Sequence, residues 1–233
     1  MACIDSNKTA VMFPVINHQD ATILTLHDCQ RAQLPGVVYD ITPWLMRPGI
    51  DVACQLPSLM STSAFTGMVI LDARGVRVHK KGYGFLHDPL SGARIQCSME
   101  SLLSLLRIQQ CPVIVTPMLA QALKSLPLIQ DLTLYIGEMD DTTVHAQQCD
   151  TMPEQITTTA LACLDAKAGI ITYQGRSICI TDAQWQDDAS RLSNDCSCQT
   201  CVQGAKLSYL HHLYLHTPLL CYRLLAWHNL AQY

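Results

Sequence analysis

Short runs of aliphatic and β-branched residues recur along much of the chain, each bounded by turn residues or by a helix-like segment. Runs of this length and composition predict buried strands. Six strands are predicted on this basis: Val11–Val15, Ala21–Leu26, Val37–Ile41, Met68–Leu71, Pro112–Thr116 and Leu132–Ile136.

Amphipathic segments lie between several of these runs. In residues 98–109 (SMESLLSLLRIQ), Ser98 is suited to the N-cap, and Leu102, Leu105 and Leu106 fall on one helical face. A second helix is predicted for Met118–Leu126. Strands that alternate with helices in this order predict an α/β fold with parallel strands.

The pattern changes after Gly169. Ile170–Tyr173 and Ser177–Ile180, separated by Gln174 and Gly175, predict a β-hairpin. Two helices are predicted near the C-terminus. The first runs roughly from Ala205 to His216, and the second starts with Thr217 as N-cap and Pro218 at the first helical position and extends to about Ala231.

Composition narrows the class of protein. The chain has 233 residues, of which 49% are hydrophobic, enough for one core with a small appended subdomain. Its net charge is −4, so the electrostatic field of the whole chain does not favour binding to nucleic acid. No apolar run approaches the roughly 20 residues of a membrane span, and residues 1–17 lack the pattern of a secretory signal. We expect a soluble protein without membrane contact.

Twelve cysteines are many for a chain of this length, and nine of them are scattered singly. Several sit between apolar neighbours, as Cys179 and Cys221 do. Lone cysteines of this kind are usually small buried residues in a reducing compartment. We therefore expect a cytoplasmic location.

The other three cysteines form the cluster Cys196-x-Cys198-x2-Cys201. A loop with this spacing can wrap one metal ion, and thiolates favour Zn²⁺ or an iron–sulfur centre. A closed site needs a fourth ligand. His228 lies near the end of the second predicted helix, where an antiparallel helical hairpin would return it to the loop. Three thiolates and one imidazole predict a structural Zn²⁺ site.

Other interpretations of the cluster stay open. The three cysteines could be unliganded, or Cys198 and Cys201 could form a redox Cys-x-x-Cys pair. The fourth ligand is less firmly predicted than the first three, because further histidines lie on the same helices: His211, His212 and His216.

Residues 196–201 (CSCQTC), 209–213 (YLHHL), 223–225 (RLL) and 228–230 (HNL) together resemble the zinc-binding segment of the queuine and archaeosine tRNA-guanine transglycosylases. Residues 169–175 (GIITYQG) also resemble that family. Upstream the resemblance is fainter and lies in scattered blocks, including residues 13–15 (FPV), 45–49 (LMRPG) and 98–101 (SMES). One extra residue separates Cys201 from the YLHHL block.

The resemblance implies a TIM-type (β/α) barrel with a zinc subdomain near its C-terminus. Such barrels typically need about 250 residues, and this chain is shorter. We therefore expect an incomplete or remodelled barrel in residues 1–168, with a deletion between roughly Thr116 and Leu132. Residues 169–233 are expected to form the zinc-binding subdomain with C-terminal helices.

The resemblance also implies which residues would carry the family's base exchange in tRNA. The proton-transfer aspartate corresponds to Asp72, although Ala73 and Arg74 replace small polar residues beside it. The base-reading aspartate corresponds to Pro117, and the nucleophile to Thr158. Neither of these residues has a carboxylate. No catalytic residue is therefore assigned, and a non-catalytic member is expected.

Three functions follow from these expectations. The first is an accessory or dimerisation subunit, paired with itself or with a full-length transglycosylase. The apolar residues of the C-terminal helices would form the pairing surface, or alternatively would pack on the remaining barrel: Leu207, Leu210, Leu213, Leu219, Leu220, Leu224 and Leu225. Contact with tRNA is only weakly indicated. The second is an active base-exchange enzyme with a rearranged site, using Asp72 and one further aspartate: Asp140, Asp141, Asp150 or Asp165. The third is a chain without a selected role.

Overall fold

The computed structural model describes residues 11–16, 24–127, 129–139, 142–147 and 154–232. Strands in these residues are β1 (Val11–Ile16), β2 (Gly36–Asp40), β3 (Met68–Asp72), β4 (Arg77–Val78), β5 (Gly84–His87), β6 (Arg94–Cys97), β7 (Val113–Val115), β8 (Leu134–Ile136), β9 (Thr143–Gln147), β10 (Gln155–Thr159), β11 (Ile170–Tyr173) and β12 (Arg176–Cys179).

Helices in the described residues are α1 (Leu26–Arg31), α2 (Thr42–Trp44), α3 (Ile50–Ala53), α4 (Leu59–Thr62), α5 (Met99–Gln109), α6 (Pro117–Lys124), α7 (Leu161–Lys167), α8 (Gln199–Val202), α9 (Leu207–His216) and α10 (Pro218–Leu230). An irregular turn, Leu45–Gly49, joins α2 to α3, and two 3-10 turns lie at Ile129–Asp131 and Ala183–Trp185.

Seven strands form a closed barrel in the order β1–β10–β9–β8–β7–β3–β2. Strand β1 closes it by pairing in parallel with both β10 and β2. The neighbouring pairs β2–β3, β3–β7 and β7–β8 are also parallel. Strand β9 runs antiparallel to both β8 and β10. A closed sheet leaves no strand edge unpaired, so the reversed β9 completes the ladder of hydrogen bonds.

Every barrel strand contributes to an apolar cluster inside the barrel. Its buried members are Phe13, Val15, Val38, Ile70, Ile114, Tyr135, Val144 and Ile156. Because successive side chains of a strand point to opposite faces, the neighbours Val37, Val69 and Val113 point outward. They belong to a second cluster beneath the surrounding helices.

Helix α5 shows how local sequence fixes part of that outer layer. The Ser98 hydroxyl accepts a hydrogen bond from the Ser101 amide at 3.0 Å and so caps the first turn. Leu102, Leu105 and Leu106 are fully buried. The predicted N-cap and apolar face of this helix are both confirmed.

Most strand predictions are confirmed, with one error. Residues 21–23 of the predicted strand Ala21–Leu26 lie outside the described residues, but Leu26 begins helix α1. Thr25 and Asp28 form a capping box, in which the Asp28 amide donates to Thr25 and the Thr25 amide donates to Asp28. This reciprocal cap fixes a helix start where aliphatic composition had favoured a strand.

The predicted hairpin is confirmed as β11 and β12, joined by Gln174 and Gly175 with φ of 48° and 74°. The two predicted terminal helices are confirmed as α9 and α10. Thr217 precedes Pro218 as predicted, but its side chain makes no capping hydrogen bond. Helix α10 packs against α7, α8, α9 and β11 and so joins the C-terminal region to the barrel. Among the described residues, no helix is both long and apolar enough to cross a membrane.

The interior of the barrel is expected to set the stability of the fold. Ile114→Ala removes a fully buried side chain and should lower the free energy of unfolding by about 2–5 kcal/mol. Ile108→Ala is the matched control, because Ile108 is 38% exposed on α5, and it should cost under about 1 kcal/mol. Urea denaturation measures both, and equal losses would contradict this packing.

Candidate metal centre and barrel-end pocket

The three clustered cysteines lie on a loop that runs into helix α8. Cys198 occupies the N-cap position, and its sulfur accepts a hydrogen bond from the Cys201 amide at 3.4 Å. The Cys196 sulfur accepts one from the Cys198 amide at 3.5 Å. Backbone N–H groups aimed at sulfur favour the thiolate form, which is the form that binds metals.

His228 approaches the cysteines from the last turn of α10 and is 2% exposed. Its Nε2 lies 2.8 Å from the carbonyl oxygen of Thr172, which can only accept a hydrogen bond. Nε2 therefore carries the proton, and Nδ1 is left with a lone pair. Nδ1 lies 3.2 Å from the Cys201 sulfur and 3.8 Å from the Cys198 sulfur. The lone pair is thus on the nitrogen nearer the thiols.

These four residues offer three sulfur atoms and one nitrogen, all within 4.8 Å of one another. A tetrahedral Zn²⁺ has Zn–S bonds of about 2.3 Å and Zn–N bonds of about 2.0–2.1 Å, which separate its ligand atoms by roughly 3.5–3.8 Å. The cluster needs only a small contraction to reach that spacing. Its donor set, burial and histidine tautomer all fit a metal ion.

The thiols of the cluster differ from those elsewhere in acidity. A hydrogen bond from the Cys201 thiol lowers the pKa of Cys198 to about 4. The pKa of Cys201 is raised, first because its thiol is the donor in that hydrogen bond. A thiolate is therefore favoured at Cys198. By contrast, burial raises the pKa of Cys29 and Cys221 to about 12, so these scattered cysteines are inert thiols.

The remaining histidines of the C-terminal region lie outside the cluster. His211 is buried, with Nδ1 2.8 Å from the carbonyl oxygen of Ile180. His212 and His216 face solvent as a ring pair with centroids 4.5 Å apart. The sequence did not reveal a further support, the Thr200 hydroxyl, which donates to the Leu224 carbonyl at 2.7 Å and ties α8 to α10.

A second candidate site is a pocket of about 310 Å³ at the end of the barrel, where β2, β3 and β10 finish. Carboxyl ends of parallel strands are where barrel proteins place their active sites. Its lining includes two of the residues that the sequence singled out, Asp72 and Thr158, and others that it did not, among them Asp40, Arg77 and His87.

Asp72 is held by the arginine two residues further along the chain. Arg74 Nη2 lies 2.7 Å from Asp72 Oδ2, and Arg74 Nε donates to Oδ1 at 3.0 Å. The Arg74 amide also donates to Oδ1 at 3.0 Å, and Nη1 donates to the Glu138 carbonyl. Both residues are buried, Asp72 at 8% exposure and Arg74 at 7%. A bidentate, buried pair of this kind occupies both oxygens of the carboxylate.

The other positions implied by the resemblance do not add a carboxylate. Thr158 lines the pocket and is 4% exposed, and its hydroxyl donates to the Thr142 carbonyl at 3.3 Å. Pro117 begins helix α6. Asp165 lies on α7 beside a different cavity. The remaining aspartates proposed for a rearranged site lie outside the described residues: Asp140, Asp141 and Asp150.

Comparison with known proteins agrees with the C-terminal geometry. Residues 156–233 match the family described as Queuine tRNA-ribosyltransferase. A queuine tRNA-ribosyltransferase of Sorangium cellulosum is 39% identical over 69 residues, 30% of this chain and 18% of that protein. One of Dictyoglomus turgidum is 42% identical over 66 residues, 28% of this chain and 16% of that protein. The matched region spans less than a fifth of either relative. The resemblance to this family is confirmed for the C-terminal third of the chain.

Removal of a bound metal should destabilise the C-terminal region. Cys201→Ser deletes one of the four donors, and we expect it to cost at least about 3 kcal/mol, or roughly 6–12 °C in Tm. A strong chelator should lower the Tm of the unmodified protein similarly and leave the Tm of the variant unchanged. Cys179→Ser, outside the cluster, is the control. Equal chelator sensitivity in both variants would contradict the assignment.

Proposed function

We propose that this chain, whose C-terminal third is similar to queuine tRNA-ribosyltransferases, is a tRNA-guanine transglycosylase-like protein linked to queuosine-type modification of tRNA. Within that family we propose a non-catalytic accessory or dimerisation subunit with a structural zinc ion. The observation that carries the proposal is the buried Asp72–Arg74 pair, with Arg74 Nη2 2.7 Å from Asp72 Oδ2. It occupies the one carboxylate that the resemblance assigns to chemistry.

The metal in this proposal is Zn²⁺, held by Cys196, Cys198, Cys201 and His228. With four protein donors around it, the ion would cross-link the chain and would have no coordination position left for substrate. Thr172 orients the imidazole through its carbonyl, and the amides of Cys198 and Cys201 support the sulfurs. These hydrogen bonds orient the ligand atoms before an ion binds, which strengthens metal affinity.

The barrel is proposed to be a remodelled TIM-type barrel, with residues 1–168 as the barrel-like domain and 169–233 as the zinc subdomain. Its parallel strands β1, β2, β3, β7, β8 and β10 support this interpretation. The reversed strand β9 lies between β8 and β10. A single antiparallel strand needs only short connections, so it can close a barrel from which longer βα units have been lost.

The contents of the pocket support the proposed absence of base exchange. A carboxylate acts as a general base only when it can reach the proton it accepts, whereas three donors of Arg74, its amide, Nε and Nη2, surround Asp72. Thr158 has a hydroxyl in place of a carboxylate, and that hydroxyl donates to a backbone carbonyl rather than to a base that would activate it. The alternative of an active enzyme with a rearranged site would require Arg74 to leave Asp72.

The partner in this proposal is a second copy of the chain or a full-length transglycosylase in the cytoplasm. The helical hairpin buries Leu207, Leu210 and Leu225, which pack within the chain. The adjacent residues Leu219 and Leu220, at the start of α10, are 78% and 45% exposed. Exposed aliphatic residues next to one another are typical of protein interfaces. We propose that pairing occurs through this pair of leucines. We also propose that tRNA is a third component of the complex.

Purified protein should not exchange guanine in tRNA. In an assay with radiolabelled guanine and a guanine-34 tRNA, we expect no incorporation above background, whereas a full-length queuine tRNA-ribosyltransferase incorporates it. Asp72→Asn should leave that background incorporation unchanged. Incorporation that disappears in Asp72→Asn would overturn the non-catalytic proposal and support the rearranged-site alternative.

Pairing should depend on Leu219, the more exposed of the two leucines. On a sizing column the chain is expected to elute as a dimer, or together with a full-length transglycosylase. Leu219→Glu should reduce that association at least tenfold without lowering Tm, since an acidic residue near a helix N-terminus is favourable. Leu90→Glu is the matched control, because Leu90 is 76% exposed in the β5–β6 turn. Equal loss in both variants, or a monomer under all conditions, would contradict this part of the proposal.

A further inference from the structure

Helix α9 carries two histidines on its solvent-exposed face. His212 and His216 are about one helical turn apart, four residues along the chain, and both are exposed. Residues four apart on a helix lie one above the other on the same face. The neighbouring residues His211 and Leu213 are buried, so they point toward the core instead. The two exposed imidazole rings therefore stand together in solvent.

The separation of the two rings matches that of two imidazoles bound to one metal ion. Their centroids are 4.5 Å apart, and the ring planes are tilted by 41°. A metal–nitrogen bond of about 2.0–2.1 Å places the metal roughly 3.2 Å from the ring centroid. Two rings at right angles about the metal then have centroids about 4.5 Å apart, whereas the tetrahedral angle separates them by about 5.2 Å. The pair fits adjacent positions of a square-planar or octahedral ion.

The ring nitrogens of the pair are available as ligands. Among the residues that the structure describes, neither His212 nor His216 makes a hydrogen bond or an ion pair. By contrast, His211 Nδ1 lies 2.8 Å from the carbonyl oxygen of Ile180 and is used in packing. Neutral imidazole is the commonest metal ligand of proteins. Ring stacking alone would use the faces of the two rings and give their nitrogens no role.

The charges around the pair favour a bound cation. Helix α9 contains no lysine or arginine. The one such residue of α10, Arg223, is ion-paired with the buried Asp28 at 2.6 Å. His216 lies in the last turn of α9, and the terminal carbonyl groups of a helix carry a partial negative charge. A cation held between the two histidines would therefore lie at the favourable end of the helix.

We propose that His212 and His216 form a bidentate site for a divalent transition-metal ion that prefers imidazole and right-angled coordination, the class of Ni²⁺ and Cu²⁺. Two protein ligands leave the other coordination positions to water or to donors from outside the chain, so this site is open. It shares no residue with the cysteine cluster. The inference therefore holds whether or not that cluster binds zinc, and whether or not the chain takes part in tRNA modification.

Isothermal titration with nickel chloride tests this site in protein that has been supplied with zinc and dialysed. We expect about one Ni²⁺ per chain. His212→Ala and His216→Ala should each weaken binding at least about tenfold, because a single imidazole cannot chelate the ion. The double variant should bind no more weakly than either single variant, since each single change already removes the chelate. Circular dichroism checks that every variant is folded.

His27→Ala is the matched control, because His27 is an exposed histidine on a different helix, α1, and should not affect nickel affinity. Three results would each overturn the inference. The first is the absence of nickel binding. The second is an equal loss of affinity in His27→Ala and His212→Ala, which would indicate adventitious binding to single histidines. The third is thiolate-to-nickel absorption in the near ultraviolet with unchanged affinity in His212→Ala, which would indicate that the ion binds the cysteine cluster.

Discussion

The hydrogen bond between His228 Nε2 and the Thr172 carbonyl, 2.8 Å long, is the contact on which the C-terminal structure depends. It fixes the tautomer that turns the Nδ1 lone pair toward the thiols, and it ties the end of α10 to β11. The next residue, Asn229, donates to the Ile170 carbonyl at 3.0 Å and reinforces the same junction. Hairpin, last helix and cysteine loop therefore hold one another in place. A metal ion bound there would link two segments, the cysteine loop and the last turn of α10.

The pocket at the end of the barrel shows how a neighbouring side chain can occupy a buried carboxylate. Asp72 still lies at the end of β3, where a barrel places reactive groups. Arg74 nevertheless neutralises it from two residues away, with both side chains buried. Removing either partner would leave an uncompensated buried charge. The pair is therefore expected to contribute to the stability of this pocket. Function belongs to such sites rather than to the fold that holds them.

Much of this structure could be predicted where local chemistry decides the outcome. The Ser98 cap and leucine periodicity predicted α5, and cysteine spacing predicted which thiols would meet. Strand β9 (TVHAQ) alternates polar and apolar residues but was missed because it contains only one large aliphatic residue, and β10 (QITTT) was missed for the same reason. The helix at Leu26 was mistaken for a strand although Thr25 and Asp28 carried its cap signal. The Asp72–Arg74 pair depends on side-chain direction and burial, which neither composition nor spacing reveals.

We propose that the C-terminal cluster is a closed structural zinc site. X-ray absorption spectroscopy of the purified protein tests it directly, because it reports both the element and its ligand atoms. The account predicts about one zinc per chain with three sulfur ligands near 2.3 Å and one nitrogen at about 2.0–2.1 Å. Protein without metal, or zinc with a water or carboxylate oxygen in its first shell, would contradict it.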